Sequence, residues 1–174
     1  MEKKIMNYAI EPLLPADWEE VKNIYIDGIH SGMATFQTEV PNWNIWDQDH
    51  LDSCRFVVRC NKKLAGWIAL SPTSSRPCYQ GVVEVSIYLS EVYKGYGLGT
   101  ALFKQLIAAS EKNGFWTLYS SIIRDNAASI ALHKKVGFHE VGIREKIAQM
   151  PTGIWHDVVI MERRSPSIGQ NQHA

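Results

Sequence analysis

The sequence predicts a mixed α/β protein in which strands and helices alternate along the chain. Apolar residues recur at helical spacing between residues 18 and 29 and again between residues 98 and 109. Runs rich in β-branched and aromatic residues, at 82–89 and 117–123, are typical of strands. A chain of 174 residues is long enough to bury a sizeable core, so these elements can form one domain.

The same patterns assign the elements in order. Asp17 followed by Glu20 has the spacing of a capping box, which predicts the start of a helix. Asn61 between two apolar runs indicates a hairpin, and Gly114 and Gly137 each mark the end of a helix. We expect helices at residues 18–29, 47–52, 97–113 and 127–136, and strands at 8–10, 55–59, 64–70, 82–89, 117–123, 138–144 and 154–161.

The chain contains no internal repeat, linker or shift in composition. We therefore expect a single domain over residues 1–164. The last ten residues, 165–174, include Pro166 and Gly169 and have no apolar pattern, which predicts a disordered tail.

Composition and charge exclude several classes of partner. Eighteen basic residues balance eighteen acidic ones, so no overall field favours nucleic acid or an anionic membrane. The apolar runs are too short to span a bilayer, and residues 1–4 do not open a signal peptide. Cys54, Cys60 and Cys78 are odd in number and lack metal-site spacing. We expect a cytoplasmic protein without a bound metal.

A glycine-rich turn follows the strand at 82–89 and opens directly into a helix. Glycines at alternate positions let a ligand approach the backbone, and a helix start supplies free N–H groups that favour phosphate. The spacing differs from the dinucleotide fingerprint and from the P-loop, and a purely structural turn is the alternative. The candidate phosphate-binding residues are Lys94, Gly95, Tyr96, Gly97, Leu98, Gly99 and Thr100.

This turn resembles the acetyl-CoA loop of the GNAT superfamily of N-acetyltransferases, written [QR]-x-x-G-x-[GA]. Gly97 and Gly99 match its glycines, whereas Lys94 replaces the usual Arg or Gln. A second match, N-x-x-[SA]-x-x-[LF]-[YH]-x-x-x-G-F, begins at Asn126. The resemblance implies the GNAT fold, which is a central, mostly antiparallel twisted sheet of about six to seven strands with helices on both faces. It also implies acetyl-CoA as cosubstrate.

The resemblance carries over further residues. It assigns Asn126 and Ser129 to the cofactor, and the strand segment Ile87, Tyr88 and Leu89 to the acetyl end of acetyl-CoA. The backbone N–H groups of Ile87 and Leu89 are expected to hold the acetyl carbonyl, and ordinary sheet pairing is the alternative.

One branch of the superfamily is matched more closely. Residues 34–36, 76–79, 83–89 and 153–157 resemble the phosphinothricin and methionine sulfoximine acetyltransferases. That branch acetylates the α-amino group of small amino-acid analogues and usually forms homodimers. The resemblance therefore implies a small-molecule amine as substrate and a homodimer, and the residues it assigns to the substrate are Thr35, Phe36, Arg76, Tyr79 and Ser86.

The chemistry requires a base, because only a neutral amine attacks a thioester. Glu84 is a charged residue on an otherwise apolar strand, and it matches the family's base; an exposed edge position is the alternative. His133 stands where many members carry a Tyr that protonates the leaving thiolate, but it can equally be a packing residue. Three alternative functions stay open: a protein N-terminal acetyltransferase, a polyamine acetyltransferase, and an acyl-CoA-binding module without catalysis.

Overall fold

The structure, a computed structural model, describes residues 6–171, so the predicted absence of a signal peptide at residues 1–4 lies outside the described residues. The eleven helices and strands follow the predicted order. They are β1 Tyr8–Pro12, α1 Trp18–His30, α2 Trp43–Asp49, β2 Phe56–Cys60, β3 Lys63–Pro72, β4 Val82–Leu89, α3 Leu98–Lys112, β5 Thr117–Ile123, α4 Ala127–Lys135, β6 His139–Gln149 and β7 Trp155–Arg164.

The strands form one seven-stranded sheet in the order β1-β2-β3-β4-β5-β7-β6. Every neighbouring pair is antiparallel except β4 and β5, which run parallel. The mixed fold class and the mostly antiparallel sheet predicted from the resemblance are therefore confirmed. Within residues 6–171, no helix is long and apolar enough to cross a membrane.

Helices cover both faces of the sheet because successive side chains of each strand point to opposite sides. On one face, Val57 and Trp67 pack with α1 and α2. On the other face, Val58 and Ile68 pack with α3. The two faces account for the unbroken apolar run of β3, in which residues 64–70 are all buried.

The parallel strands β4 and β5 pair over only part of their length. Val82, Val83 and Glu84 of β4 pair with residues 117–119 of β5, and the pairing stops there. Both strands continue, β4 to Leu89 and β5 to Ile123. The β4 edge beyond Glu84 therefore lines an opening in the middle of the sheet.

One local sequence expectation, the capping box at Asp17, differs from the structure. The Asp17 side chain makes no capping hydrogen bond to α1; it accepts from the Leu14 N–H at 2.8 Å and pairs with Arg59. Glu20 accepts from the backbone N–H of Leu64 at 3.0 Å instead of reaching back to the cap. The predicted capping box is therefore wrong, because contacts distant in sequence engage both carboxylates.

The first residues of the predicted tail contact β7 and α3, and the disorder of residues 165–174 stays a prediction. Ser165 is buried, and its hydroxyl donates to Glu111 at 3.0 Å. The Arg164 guanidinium donates to the carbonyls of Ile168 and Gly169, both at 2.6 Å. These contacts hold the first residues of the tail against the end of the sheet.

Candidate active site

A cleft of about 460 Å³ occupies the opening between β4 and β5. Its walls come from the loop after α1, from the separated halves of β4 and β5, and from the start of α4. The lining residues are Tyr25, Ala34, Thr35, Phe36, Gln37, Glu84, Val85, Ser86, Ile87, Tyr88, Ser120, Ser121, Ile122, Ile123, Asn126, Ser129 and His133.

Glu84 lies where the two strands separate, and it is the one side chain among these lining residues that carries a formal charge at neutral pH. Burial raises the pKa of its carboxyl above the ordinary value. Among the described residues, no side chain forms an ion pair or hydrogen bond with this carboxylate. A half-buried, unpartnered carboxylate facing a cleft is suited to accept a proton from a bound ligand.

Tyr88 forms the aromatic side of the cleft together with Tyr25. The Tyr88 ring is stacked on Trp67 with centroids 4.8 Å apart and packs against Tyr25 at 4.7 Å. Gly28 of α1 leaves room for this ring, because a Cβ there would lie 2.7 Å from its atoms. Burial raises the pKa of the Tyr88 phenol, so the hydroxyl stays protonated at neutral pH.

His133 is buried in the opposite wall and has partners at both ring nitrogens. Nδ1 lies 2.7 Å from the Ser129 carbonyl oxygen, so Nδ1 carries a proton and donates it. Nε2 lies 2.9 Å from the Ser120 hydroxyl. Burial lowers the pKa of the imidazole, so the ring is neutral near pH 7 and Nε2 accepts from Ser120. In that state Nε2 has no proton to give, and the acid role stays a prediction without geometric support.

Asn126 fixes the start of α4 and docks the loop after α1. Its Oδ1 accepts from the Ser129 N–H at 3.1 Å, which makes it a helix cap. Its Nδ2 donates to the Met33 carbonyl at 3.1 Å. Asn126 and Ser129 both line the cleft, and their contact with a cofactor stays a prediction.

The glycine turn lies beyond the open end of β4. Gly95 and Gly97 adopt left-handed backbone angles, with φ of 83° and 81°, and a Cβ at either position would meet nothing within 4 Å. Gly97 is the N-terminal cap of α3, so free N–H groups point out of the helix start. Lys94 is exposed and pairs with Glu91 at 3.1 Å. The turn therefore has both the space and the donors for an anion.

Other residues of the turn have structural roles. Leu98 is buried in the core, so only its backbone is free for a ligand. A Cβ on Gly99 would lie 2.8 Å from Leu132 and 3.0 Å from Leu89, so this glycine allows α3 and α4 to pack closely. Tyr96 packs on the same core, and Thr100 lies in the first turn of α3.

Of the five residues predicted to bind the substrate, the structure places three in the cleft and leaves two outside it. Thr35, Phe36 and Ser86 line it. Arg76 and Tyr79 lie in the loop before β4, outside the lining residues, where the guanidinium sits 5.5 Å from the Tyr79 ring centroid.

Sequence reasoning missed several lining residues. Tyr25 follows the helical spacing of core residues, so the pattern predicts a packing residue and gives no signal for its hydroxyl. Gln37 lies in an irregular segment without any pattern. Ser120 and Ser121 carried the one usable signal, since two adjacent serines interrupt a strand otherwise made of β-branched, aromatic and leucine residues.

Two features at opposite ends of β4 together indicate a class of protein. Glu84 offers a proton acceptor in a partly desolvated position, and the turn at Gly97 offers donors to an anionic group at the other end of β4. This pairing is suited to an enzyme that transfers a group from a phosphate-bearing cosubstrate to a nucleophile that must lose a proton.

Comparison with known proteins identifies the family. The model of the acetyltransferase (GNAT) family matches residues 18–138, and the chain belongs to this family of acetyltransferase enzymes. YwnH of Bacillus subtilis (strain 168), provisionally named a phosphinothricin acetyltransferase, is 34% identical over 152 residues, which cover 84% of this chain and 93% of YwnH. The phosphinothricin N-acetyltransferase of Streptomyces viridochromogenes is 28% identical over 159 residues, covering 88% of this chain and 86% of that protein.

A solved structure supports the fold. The phosphinothricin acetyltransferase of Sinorhizobium meliloti, crystallised in complex with acetyl-CoA, superimposes with a TM-score of 0.85 at 24% identity, over 97% of this chain and 94% of that one. The predicted resemblance to the GNAT superfamily and to its phosphinothricin branch is confirmed.

Proposed function

We propose that this acetyltransferase moves the acetyl group of acetyl-CoA to the primary amine of a small amino-acid-like substrate of the phosphinothricin or methionine sulfoximine type. The relatives named for phosphinothricin acetylation support the substrate class. The observation that carries the chemistry is Glu84, a carboxylate without a partner at the point where β4 and β5 separate.

The cosubstrate fits along β4. The edge of β4 from Val85 to Leu89 has no neighbouring strand on the β5 side, so its backbone groups are free to bind an extended arm. At the end of that edge, the open space over Gly95 and Gly97 and the start of α3 suit the pyrophosphate. In this proposal, backbone N–H groups at Ile87 and Leu89 stabilise the oxyanion that develops on the acetyl carbonyl.

Glu84 carries the proton transfer in this mechanism. Its carboxylate accepts a proton from the amine, directly or through water, as the nitrogen forms its bond to the acetyl carbon. The carbon–sulfur bond then breaks, and the thiolate takes a proton from solvent. A carboxyl whose pKa is raised toward neutrality is a better base for this step than an exposed one.

A thiol-release assay tests the proposal. The enzyme is supplied with acetyl-CoA and a panel of phosphinothricin, methionine sulfoximine, polyamines and short peptides, and acetylated products are identified by mass spectrometry. We expect the highest kcat/KM with the amino-acid analogues. Thiol release that never exceeds the amine-free rate would contradict the proposal and favour a non-catalytic acyl-CoA-binding module.

The charge of the cleft favours a second candidate function. Glu84 is acidic, and none of the lining residues is a Lys or Arg that could neutralise an acid group on the substrate. This distribution favours amines without a nearby carboxylate, such as polyamines or protein N-termini. In the same assay, the higher kcat/KM would then belong to those amines.

We also propose that the protein forms a homodimer and is located in the cytoplasm. The exposed apolar side chains of Val141, Ile143 and Ile147 on β6, with Ile154 and Trp155 beside them, support an interface at this edge of the sheet.

A further inference from the structure

An amino-acid substrate brings an acid group into a cleft that holds no cation among its lining residues. The amine can pair with Glu84, but the acid group carries the same sign as that carboxylate. It must therefore be bound by neutral donors, because an uncompensated anion in a half-closed cleft is costly. This argument rests on the proposed function.

One neutral donor is held in place by two hydrogen bonds, one at its side chain and one at its backbone. The Tyr25 hydroxyl donates to Oε1 of Gln37. The Gln37 backbone N–H donates to the Thr35 hydroxyl at 3.1 Å.

The Tyr25 hydroxyl fixes the orientation of the Gln37 amide. Because Oε1 accepts from Tyr25, the Nε2 group with its two N–H donors lies on the other side of the amide. Among residues 6–171, no protein acceptor binds Nε2, and Gln37 lines the cleft that also contains Glu84. The amide thus offers two free donors to a ligand.

We propose that Gln37 determines specificity for amines that carry an acid group, by donating from Nε2 to the carboxylate or phosphinyl oxygens of the substrate. Tyr25 is the positioning residue that holds the amide in this orientation. Glu84 and Gln37 then recognise opposite ends of one substrate, the first its ammonium group and the second its anionic oxygens.

The arginines of the neighbouring loops are engaged elsewhere. Arg76 stacks over Tyr79 outside the cleft. Arg124 pairs with Asp157 at 2.9 Å and is not among the lining residues. Neither guanidinium competes with Gln37 for an acid group inside the cleft.

Two substitutions at Gln37 test the proposal with a matched pair of substrates. Gln37→Glu keeps an acceptor for Tyr25 but replaces both N–H donors by a charged oxygen, whereas Gln37→Met removes donors and acceptor without adding charge. The substrates are methionine sulfoximine and the same amine with hydrogen in place of the carboxylate. Both variants are expected to raise KM for methionine sulfoximine at least about 10-fold, the scale of a lost hydrogen bond to a charged group.

The same variants should change KM for the decarboxylated amine less than about 3-fold, because only the acid group contacts Gln37. Tyr25→Phe should raise KM for methionine sulfoximine alone, with kcat unchanged, which a general structural defect would not do. Gln105→Glu makes the same charge change on an exposed position of α3 outside the cleft and should behave as the wild type.

Equal KM changes for both substrates would overturn the proposal, as would unchanged values. An Arg76→Ala variant that raises KM for methionine sulfoximine while Gln37→Met does not would overturn it in favour of the arginine. A wild-type enzyme that acetylates neither amine refutes the proposed function itself, which is a separate result.

Discussion

The two walls of the cleft hold their titratable groups in opposite ways. On the β4 wall, Glu84 is half-buried and has no partner among the described residues, and burial raises the pKa of its carboxyl. On the α4 wall, His133 is buried with both ring nitrogens satisfied, by Ser129 and Ser120, and burial lowers the pKa of its imidazole. The unsatisfied group is available for chemistry, whereas the satisfied one stabilises the fold.

The geometry of His133 gives no support to a motif-based prediction, which stays a prediction. The resemblance places a proton donor at position 133, but a neutral ring that donates only from Nδ1 to a carbonyl has nothing to give on its other side. Aromatic packing against Phe103 and Phe138, each with centroids 4.9 Å away, holds the ring in this orientation. A matching position therefore does not establish a matching role.

The largest expected effect comes from the β4 wall, where Glu84 has no partner among the described residues. Glu84→Gln removes the proton acceptor and should lower kcat by about 10²-fold or more, while acetyl-CoA binds as before. Wild-type activity should fall as acid protonates Glu84, at a pH above the ordinary carboxyl range, and the Gln variant should lose this acidic limb of the pH–rate profile. A fully active Gln variant would mean that the amine loses its proton elsewhere.

The Gln variant should also be the more stable protein at neutral pH. Burial disfavours the charged form of Glu84, so replacing it by a neutral amide removes a desolvation penalty. Thermal unfolding measured at pH 7 is expected to give a higher Tm than the wild type. A lower Tm would indicate that the carboxylate has a stabilising partner.

The next effect concerns the turn beyond the β4 wall. Gly97→Val places a branched side chain in the open space where an anion is expected, and should weaken acetyl-CoA binding, measured by calorimetry, by about 10-fold or more. Gly114→Val is the matched control: its φ of 80° equals that of Gly97 within a degree, and it too has open space, but it lies at the other end of α3. If both variants bind acetyl-CoA like the wild type, the turn does not hold the cosubstrate.

Much of the fold was predictable because its signals are local. Helical periodicity and Gly114 located α3 to within a residue at each end, and the β-branched run located β4 at residues 82–89. The capping box at Asp17 failed because Arg59 and Leu64, more than 40 residues away, engage its two carboxylates. A local motif does not report such competition.

The site was predictable in part for the same reason. Glu84 could be singled out as a candidate, and it does line the cleft, because a charge on an apolar strand is conspicuous in the sequence itself. The opening beside it was not derivable from residue patterns, because strand pairing that stops at Glu84 is a property of two distant segments. Gln37 escaped notice, since its significance depends on Tyr25, twelve residues earlier on a helix.

A smaller effect is expected on the α4 wall, where both ring nitrogens of His133 have partners. Ser120→Ala leaves Nε2 of His133 buried without a hydrogen-bond partner, which should destabilise the protein by roughly 1–3 kcal/mol. Chemical denaturation measures this loss, and kcat at a temperature where the variant is folded should change less than about 3-fold. A 10²-fold fall in kcat with unchanged stability would instead place the Ser120–His133 pair in proton transfer.

The smallest expected effect is on the pH dependence of stability, to which the two walls contribute with opposite signs. Below the ordinary His pKa of 6.5, the unfolded chain binds a proton at position 133 more readily than the folded one, so stability falls as pH decreases through this window. The raised pKa of Glu84 acts in the opposite direction, because above 4.5 the folded chain binds that proton more readily and acidification stabilises it. His50, whose pKa burial also lowers, adds to the effect of His133.

Thermal unfolding between pH 8 and 5 distinguishes these contributions. The Tm of the Glu84→Gln variant should fall more steeply on acidification than that of the wild type. The variant lacks the carboxyl whose protonation stabilises the folded chain and offsets the effect of the histidines. The Tm of the His133→Gln variant should fall less steeply than that of the wild type, although His50 still contributes to the fall. Parallel Tm curves for the wild type and both variants would mean that neither wall couples proton binding to folding, and the contrast between an unsatisfied and a satisfied wall would then fail.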